Sequence, residues 1–271
     1  MPAMHYTVRA VVTHHKGVTR RMSCTNPNMQ NIPIRSGPEV REVLIPGKGN
    51  AFVVCDYGSI ELRILAYHMN DDKFTELVQT GLFFEYMGEM IYKTHEQEKW
   101  PVGRSSLKNG TYAVTYGAGG PQLALTIGGG MTPDEGRVLA RKIKKVLGPK
   151  YFSLLALVEA AVHTRGDVKT MFGTHISVPR DKAYTGLNYL IQGAAATIMK
   201  LGLINAAEAI RHIEGAYLVL PVHDELVTQC YSKDAEQVEA LIVDAMCAAT
   251  DKLELVCSSS ICYNNYSEGK N

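Results

Sequence analysis

YLVLPVHDELV, residues 217–227, interrupts an apolar, strand-like run with one histidine and two acids. The pattern predicts two strands on either side of His223, Asp224 and Glu225. A carboxylate is costly to bury unless it is paired or bound to a cation. Two explanations stay open for these acids from this stretch alone, because an acid can cap a turn and it can also hold a metal ion.

A second stretch has the same form. AFVVC, residues 51–55, predicts a buried strand that ends at Asp56, and a helix over residues 60–69 follows it. If the two strands are neighbours, Asp56 and Asp224 meet at the same edge of a sheet. Mg²⁺ takes one or two carboxylates and fills its other positions with water and substrate phosphates. The pair therefore suits a phosphoryl-transfer site.

The remaining patterns predict an α+β fold, in which a sheet platform carries a helical insertion. The Thr-Pro-Asp-Glu sequence at residues 132–135 is a good helix N-terminus. Periodicity predicts helices over residues 74–92, 132–146, 187–213 and 234–253. It also predicts a hairpin over residues 167–179 and a last short strand.

Length and composition set the broad class. The 271 residues allow one large domain or two modest ones, and 46% hydrophobic residues can form a core. Residues 1–12 lack a signal-peptide pattern and no long uncharged apolar run occurs, so we predict a cytoplasmic protein. The six cysteines lack zinc-site spacing, which predicts reduced thiols.

Charge is distributed unevenly, although the net charge of +1 gives no general argument for nucleic acid. Residues 1–48 contain seven lysines and arginines against two acids, and residues 104–150 contain eight against two. Acids dominate from residue 224 onward. This polarity suits a groove with basic walls and an acidic floor, although solvated surfaces alone also produce such runs.

The segment GRSSLKNGTYAVTYG, residues 103–117, has a basic or aromatic residue at every fourth position from Arg104. On a helix, Arg104, Lys108, Tyr112 and Tyr116 share one slowly drifting face about 18 Å long. The cations come first and the rings second, which matches the phosphates and the flat base of a nucleoside triphosphate. Gly110 should cost about 1 kcal/mol inside this helix.

A third segment, TNPNMQNIPIR at residues 25–35, follows Arg20 and Arg21. Amides and arginines in a proline-punctuated extended segment can reach acceptors on base edges and phosphates. An ordinary loop has the same composition, so the segment is informative only together with the others.

Five segments in this order resemble the family A (Klenow-type) DNA polymerases, over about residues 8–266. They are TNPNMQNIPIR (25–35), CDYGSIELRIL (55–65, motif A), RSSLKNGTYAVTYG (104–117, motif B), NYLIQGAAATIMK (188–200) and VHDELV (222–227, motif C). The resemblance implies a right-hand polymerase with an antiparallel-sheet palm in residues 1–70 and 180–271. It implies helical fingers in residues 71–179, with the motif B helix at about 101–117.

The resemblance also implies a template-directed DNA polymerase that uses two Mg²⁺ ions to join deoxynucleotides to a primer 3′-hydroxyl. Asp56, Asp224 and the Tyr57 carbonyl would be the metal ligands. Glu225 would be an accessory catalytic acid, and His223 would lie near the primer end.

On the fingers helix, the resemblance implies that Arg104 and Lys108 bind the triphosphate and that Lys108 protonates the pyrophosphate. Tyr112 would lie beside the incoming sugar, where its phenol suggests tolerance of a sugar lacking the 3′-hydroxyl. Tyr116 would stack at the template position. Glu61 matches the steric gate that crowds a ribose 2′-hydroxyl.

For the DNA duplex, the resemblance implies that Arg21 and Gln192 read minor-groove acceptors common to all correct base pairs. Gln30, Asn31 and Asn188 would line the same duplex track. The expected partners are therefore primer-template DNA and deoxynucleoside triphosphates, without a membrane.

The chain departs from the family pattern in several places. Phe84 stands where the family often has a phosphate-contacting histidine, Thr111-Tyr112-Ala113 replaces Asn-Phe-Gly, and Gly58-Ser59 replaces Ser-Gln. The helical thumb and any proofreading nuclease have no counterpart in the sequence. We therefore predict a split or truncated polymerase in a bacterial or phage-infected cell. A second chain would carry the thumb, and whether it also carries an exonuclease stays open.

Two other functions stay open from the residues. A two-metal nuclease would also use paired aspartates, but it does not need the Arg104 to Tyr116 face. A non-catalytic subunit that binds primer-template is the other alternative, and the presence of Asp56, Asp224 and Lys108 argues against it.

Overall fold

A computed structural model describes residues 6–14, 17–32 and 39–270. Residues 33–35 of the TNPNMQNIPIR segment lie outside the described residues. In chain order the elements are β1 (Val11–Thr13), β2 (Ser23–Thr25), α1 (Glu39–Glu42), β3 (Asn50–Tyr57), α2 (Ile60–Met69), α3 (Asp72–Gln79), α4 (Phe83–Tyr92), α5 (Arg104–Thr115), α6 (Gly120–Ile127), α7 (Pro133–Arg165), β4 (Asp167–Lys169), β5 (His175–Ser177), α8 (Gly186–Ile210), β6 (Tyr217–Val222), β7 (Glu225–Tyr231), α9 (Ala235–Cys247) and β8 (Cys257–Cys262).

The chain divides into two compact units. Residues 1–60 and 195–271 form one, called here the sheet unit, and residues 61–194 form the other, called here the helical unit. The sequence predicts changes after residues 70 and 179, and the compact units change after residues 60 and 194. The predicted mixture of helices and antiparallel strands is confirmed.

The sheet unit is built on a four-stranded antiparallel sheet in the order β6-β7-β3-β8. β3 occupies an inner position, and six of its eight residues are buried, which explains why AFVVC is apolar without alternation. One face of the sheet carries an apolar cluster that includes Phe52, Val54 and Tyr266. α9 packs against β3 and β8, and the Tyr57 hydroxyl donates to the Met246 carbonyl of α9 at 2.8 Å.

The helical unit contains α3 to α7 and the β4–β5 hairpin, and α6 packs closely on α7. A Cβ at Gly136 would lie 2.2 Å from the Gly120 carbonyl oxygen, so glycine is required at this crossing. The predicted capping box at Thr132 and Glu135 is confirmed. α7 continues beyond the predicted residue 146 to Arg165, with a kink at Gly148.

Two other helix predictions need correction. The single helix expected over residues 74–92 is two helices, α3 and α4, because the chain turns at Gly81 with φ 76°. The last helix ends at Cys247 and not at residue 253. The predicted helix over residues 60–69 is confirmed as α2, and the predicted hairpin strands are β4 and β5.

α8 is the one helix in the described residues that is long and apolar enough to cross a membrane by length and composition. Of its most apolar window, 56% is buried within the protein, as expected for a core helix. All six cysteines are free thiols in this structure.

Candidate active site

The two aspartates lie on adjacent strand ends of the sheet unit. In the antiparallel register Asp56 is opposite Glu225, and the Tyr57 N–H donates to the Asp224 carbonyl at 3.1 Å. Asp56 and Asp224 are both half-buried, and Oδ1 of Asp56 is a buried atom. The backbone ladder therefore brings together residues that are far apart in sequence, as the strand pattern predicts.

Tight backbone geometry surrounds both aspartates. β6 and β7 are joined by the two-residue turn His223-Asp224, and His223 is exposed with φ 58°. On the other strand, a Cβ at Gly58 would lie 2.8 Å from Val256 Cγ2. The Gly58 N–H also donates to the Val256 carbonyl at 2.8 Å. This close approach explains why the chain has glycine at a position where the family has serine.

Glu225 has a different environment from its neighbour Asp224. It is 1% exposed, and its Oε1 accepts a hydrogen bond from the Tyr266 hydroxyl. The buried Arg41 guanidinium lies 4.4 Å from the centre of the Tyr266 ring. Burial raises the pKa of Tyr266, and the Glu225 carboxylate raises it further. Sequence patterns gave no signal for Tyr266 or Arg41, because neither belongs to a motif.

The DNA-binding residues predicted in the sheet unit have different surroundings. Arg21 and His223 line a small cavity together with Asp224. Gln30 is 8% exposed, and its Nε2 donates to the Pro221 carbonyl of β6 at 2.9 Å. Asn31 is exposed at the end of the short 3₁₀ helix Met29–Asn31. Gln30 therefore attaches this segment to the strand that leads to the aspartate turn.

The helical unit presents the predicted face of α5. Arg104 and Lys108 are exposed, whereas Tyr112 and Tyr116 are half-buried. The two tyrosine rings are stacked, with centroids 6.4 Å apart. The Tyr116 hydroxyl donates a hydrogen bond to Oε2 of Glu61. The predicted order of two cations followed by two rings is therefore present along one helix.

The opposite face of α5 is buried. Leu107, Gly110 and Val114 have little or no exposure. A Cβ at Gly110 would lie 2.9 Å from Ile127 Cδ1 and 3.1 Å from Leu123 Cδ1 of α6. Gly110 thus permits close packing of α5 on α6, which the sequence pattern alone did not explain.

Phe84 and Glu85 of α4 lie beside the cations of α5. The Phe84 ring is 5.9 Å from the Arg104 guanidinium carbon and 5.8 Å from Lys108 Nζ. Its centroid is 6.0 Å from that of Tyr112. Glu85 forms an ion pair with Arg104. In the sequence, Phe84 is a departure from the family pattern, whereas no motif marks Glu85.

Asn188 and Gln192 lie one turn apart on α8 and are both half-buried. Oδ1 of Asn188 is buried, and it has no hydrogen-bond partner among the described residues. The two side chains therefore occupy one face of the helix, as their spacing predicts.

The residues at the strand ends fit a hard divalent cation better than zinc. Two aspartate carboxylates and a backbone carbonyl are oxygen ligands, which Mg²⁺ prefers. Within residues 6–14, 17–32 and 39–270, no group of three or more His, Cys, Asp or Glu forms a metal site. The Tyr57 side chain points to α9, and burial raises its pKa, so only the Tyr57 carbonyl suits a metal.

The antiparallel sheet with aspartates at adjacent strand ends, and the helix with cations followed by rings, define the right-hand polymerase class. The model of DNA polymerase family A matches residues 3–267, and the chain belongs to this family.

Solved and curated relatives agree. The fold is similar to the POL domain of Pol1 from M. smegmatis, solved in complex with DNA primer-template and dNTP. The TM-score is 0.85 with 26% identity, over 97% of this chain and 48% of that one. Over 84% of its length, the chain is 30% identical to the thermostable DNA polymerase I of Thermus caldophilus and 27% identical to DNA polymerase I of Bacillus subtilis. It spans 28% and 27% of those relatives.

Proposed function

We propose that this chain is the catalytic chain of a template-directed DNA polymerase, which adds deoxynucleotides to a primer 3′-hydroxyl. The observation that carries the proposal is the single face of α5, with exposed Arg104 and Lys108 followed by the stacked rings of Tyr112 and Tyr116. A nuclease has no use for such a face. Membership of family A supports the same reaction.

The acidic end of the sheet unit would hold the metal ions. Asp56, Asp224 and the Tyr57 carbonyl are the proposed ligands of two Mg²⁺ ions. When bound, these ions would lower the pKa of the primer hydroxyl and neutralise charge on the triphosphate. Glu225 is proposed as the accessory acid. Its hydrogen bond with Tyr266 supports a role in keeping β7 and the aspartate turn in place.

The α5 face would bind the incoming nucleotide. Arg104 and Lys108 would contact the triphosphate, and Lys108 would donate a proton to the leaving pyrophosphate. Tyr112 would lie beside the sugar, and Tyr116 would stack at the template position. Glu61 would exclude a ribose 2′-hydroxyl, and its hydrogen bond from Tyr116 supports this role by fixing the carboxylate.

Polar side chains are proposed to contact the DNA duplex. Arg21 and Gln192 are proposed to read minor-groove acceptors, and His223 to lie near the primer end. The further residues of the duplex track are Gln30, Asn31 and Asn188. The position of Asn188 one turn from Gln192 on α8, with both side chains half-buried, supports its place here.

Primer extension by the purified chain tests the proposal. A labelled primer on a longer template, with Mg²⁺ and all four deoxynucleotides, should give a ladder whose length depends on which nucleotides are supplied. Shortening of the primer without a need for nucleotides would instead support a two-metal nuclease. DNA binding without either product would support a non-catalytic subunit and contradict the proposal.

A second chain that carries the thumb stays a prediction, as does a cytoplasmic location in a bacterial or phage-infected cell. Extension should become more processive when lysate from the source cell is added. Full processivity by the purified chain would contradict the need for a partner.

A further inference from the structure

Two residues of α4, Phe84 and Glu85, lie beside the exposed cations of α5. Phe84 is 4% exposed, and its ring centre lies 5.9 Å from the Arg104 guanidinium carbon and 5.8 Å from Lys108 Nζ. Glu85, the next residue, brings its Oε1 to within 2.5 Å of Arg104 Nε. Phe84 stands where the family often has a phosphate-contacting histidine, so the pair changes the chemistry beside the proposed triphosphate site.

The contact between Glu85 and Arg104 uses only one edge of the guanidinium. Glu85 Oε1 bonds to Nε, and within residues 39–270 the Nη1 and Nη2 groups make no hydrogen bond. Glu85 Oε2 is buried and has no hydrogen-bond partner among the described residues. Because a guanidinium has five N–H donors in a planar fork, a bond at Nε leaves the two Nη groups available for bidentate binding of a phosphate.

We propose that Glu85 is a positioning residue, which holds Arg104 by Nε so that both Nη groups bind the triphosphate of the incoming nucleotide. The proposal rests on the proposed function for the identity of that ligand. An arginine that is already held in place loses less rotamer freedom when it binds. Partial burial strengthens the hold, since water competes poorly for a carboxylate that is only 26% exposed.

If Glu85 competed with the nucleotide for Arg104, its removal would have the opposite effect on binding. A carboxylate near the cations also repels phosphate, and if Glu85 acted only as a competitor of the nucleotide, its removal would tighten binding. The single bond at Nε favours positioning, because a competitor would occupy the fork through both of its oxygens. The sign of the effect therefore separates the two roles.

Binding of tripolyphosphate to the full chain, measured by calorimetry, tests the proposal without DNA or primer extension. Glu85→Ala should weaken binding about 3- to 10-fold, because Arg104 is no longer held. Glu85→Gln keeps an oxygen acceptor for Nε and should bind within about 2-fold of the parent chain. Glu85→Ala should have no effect in a chain that already carries Arg104→Ala.

Glu89→Ala is the matched control. Glu89 lies one turn further along α4, is 32% exposed, and pairs with His95 instead of Arg104. The Glu89→Ala variant should leave tripolyphosphate binding unchanged. If Glu85→Ala lowers the thermal midpoint, Glu85→Met, which keeps the length of the side chain without an acceptor, should give the same weakening.

Equal or tighter binding by Glu85→Ala would overturn the proposal, and so would a loss that persists in the Arg104→Ala background. Absence of binding by the parent chain would overturn it as well. Failure of the polymerase function is distinguishable, because tripolyphosphate binding that depends on Glu85, without any primer extension, would reject only the reaction.

Discussion

The acidic end of the sheet unit and the cationic face of the helical unit place their functional groups by different means. Asp56 and Asp224 are fixed by strand register and by the backbone bond from Tyr57 to Asp224. Arg104 and Lys108 project from an exposed helix face and are surrounded by side chains of α4. Substitutions of residues that contact the acids should therefore affect stability, whereas substitutions of the exposed α5 cations should affect ligand binding alone.

The largest expected effect tests the acidic end. Asp224→Asn should lower the rate of single-nucleotide primer extension by about 10³-fold or more. The thermal midpoint should be unchanged or higher, because removal of one of two neighbouring acids relieves repulsion. Extension rates and thermal unfolding of the same preparations provide the measurement.

Asp251→Asn is the control for this change, since Asp251 is exposed and lies in a bend after α9. It should retain the parent rate. A rate for Asp224→Asn above one tenth of the parent rate would remove the aspartate pair from the proposed chemistry.

Lys108→Ala makes the matching test of the helical unit. The catalytic efficiency for deoxynucleotides should fall about 10²-fold, because an exposed cation at the triphosphate is lost. The free energy of unfolding should change by less than about 0.5 kcal/mol, as for other exposed residues. Steady-state kinetics and urea denaturation measure the two quantities.

Lys142→Ala, at another exposed lysine, which lies on α7, should change neither quantity. A loss of stability in Lys108→Ala comparable to its loss of activity would break the comparison, because it would show that the α5 cations support the fold.

Local sequence patterns are sufficient to predict the helices and strands that carry the motifs. The apolar run before Asp56 predicted β3, and the residues after it predicted α2, because both depend on short-range periodicity. The spacing of Arg104, Lys108, Tyr112 and Tyr116 predicted one face of α5 for the same reason. Where a single glycine decided the outcome, as at Gly81 between α3 and α4, the apolar pattern on both sides concealed the break.

The contacts that fix the functional side chains could not be predicted in this way. The bonds from Gln30 to Pro221 and from Tyr266 to Glu225 join residues 191 and 41 positions apart, and that from Arg104 to Glu85 spans 19. Each depends on how whole elements pack. Sequence periodicity describes one element at a time, so it gives the face of a residue but not its partner.

Tyr266→Phe tests whether the hydrogen bond from Tyr266 to Glu225 stabilises the sheet unit. Glu225 is 1% exposed and loses the Tyr266 donor, so the free energy of unfolding at pH 7 should fall by about 1–3 kcal/mol. Urea denaturation provides the measurement. Tyr263→Phe, at a tyrosine that is 52% exposed, should have almost no effect.

The pH dependence of the same variant gives a second result. Burial raises the pKa of Tyr266 above the value of about 10 for an unfolded tyrosine. Above that pH the unfolded chain loses a proton that the folded chain keeps, so stability falls as pH rises. Tyr266→Phe should show a shallower fall, and part of it should persist because burial also raises the pKa of Tyr57. An equal slope in both proteins would contradict this assignment.

The smallest expected effect is on the choice between deoxynucleotides and ribonucleotides, and it tests one side-chain hydrogen bond of α5. The Tyr116 hydroxyl donates to Glu61, so Tyr116→Phe removes a bond that holds the proposed steric gate. The ratio of catalytic efficiencies for deoxynucleotides and ribonucleotides should fall about 2- to 10-fold, the value of one hydrogen bond. Tyr86→Phe is the control, because its hydroxyl pairs with Lys73 on the surface of the same unit. An unchanged or higher ratio in Tyr116→Phe would mean that other contacts hold Glu61, and that this group, like the aspartates at the strand ends, does not depend on one side-chain bond.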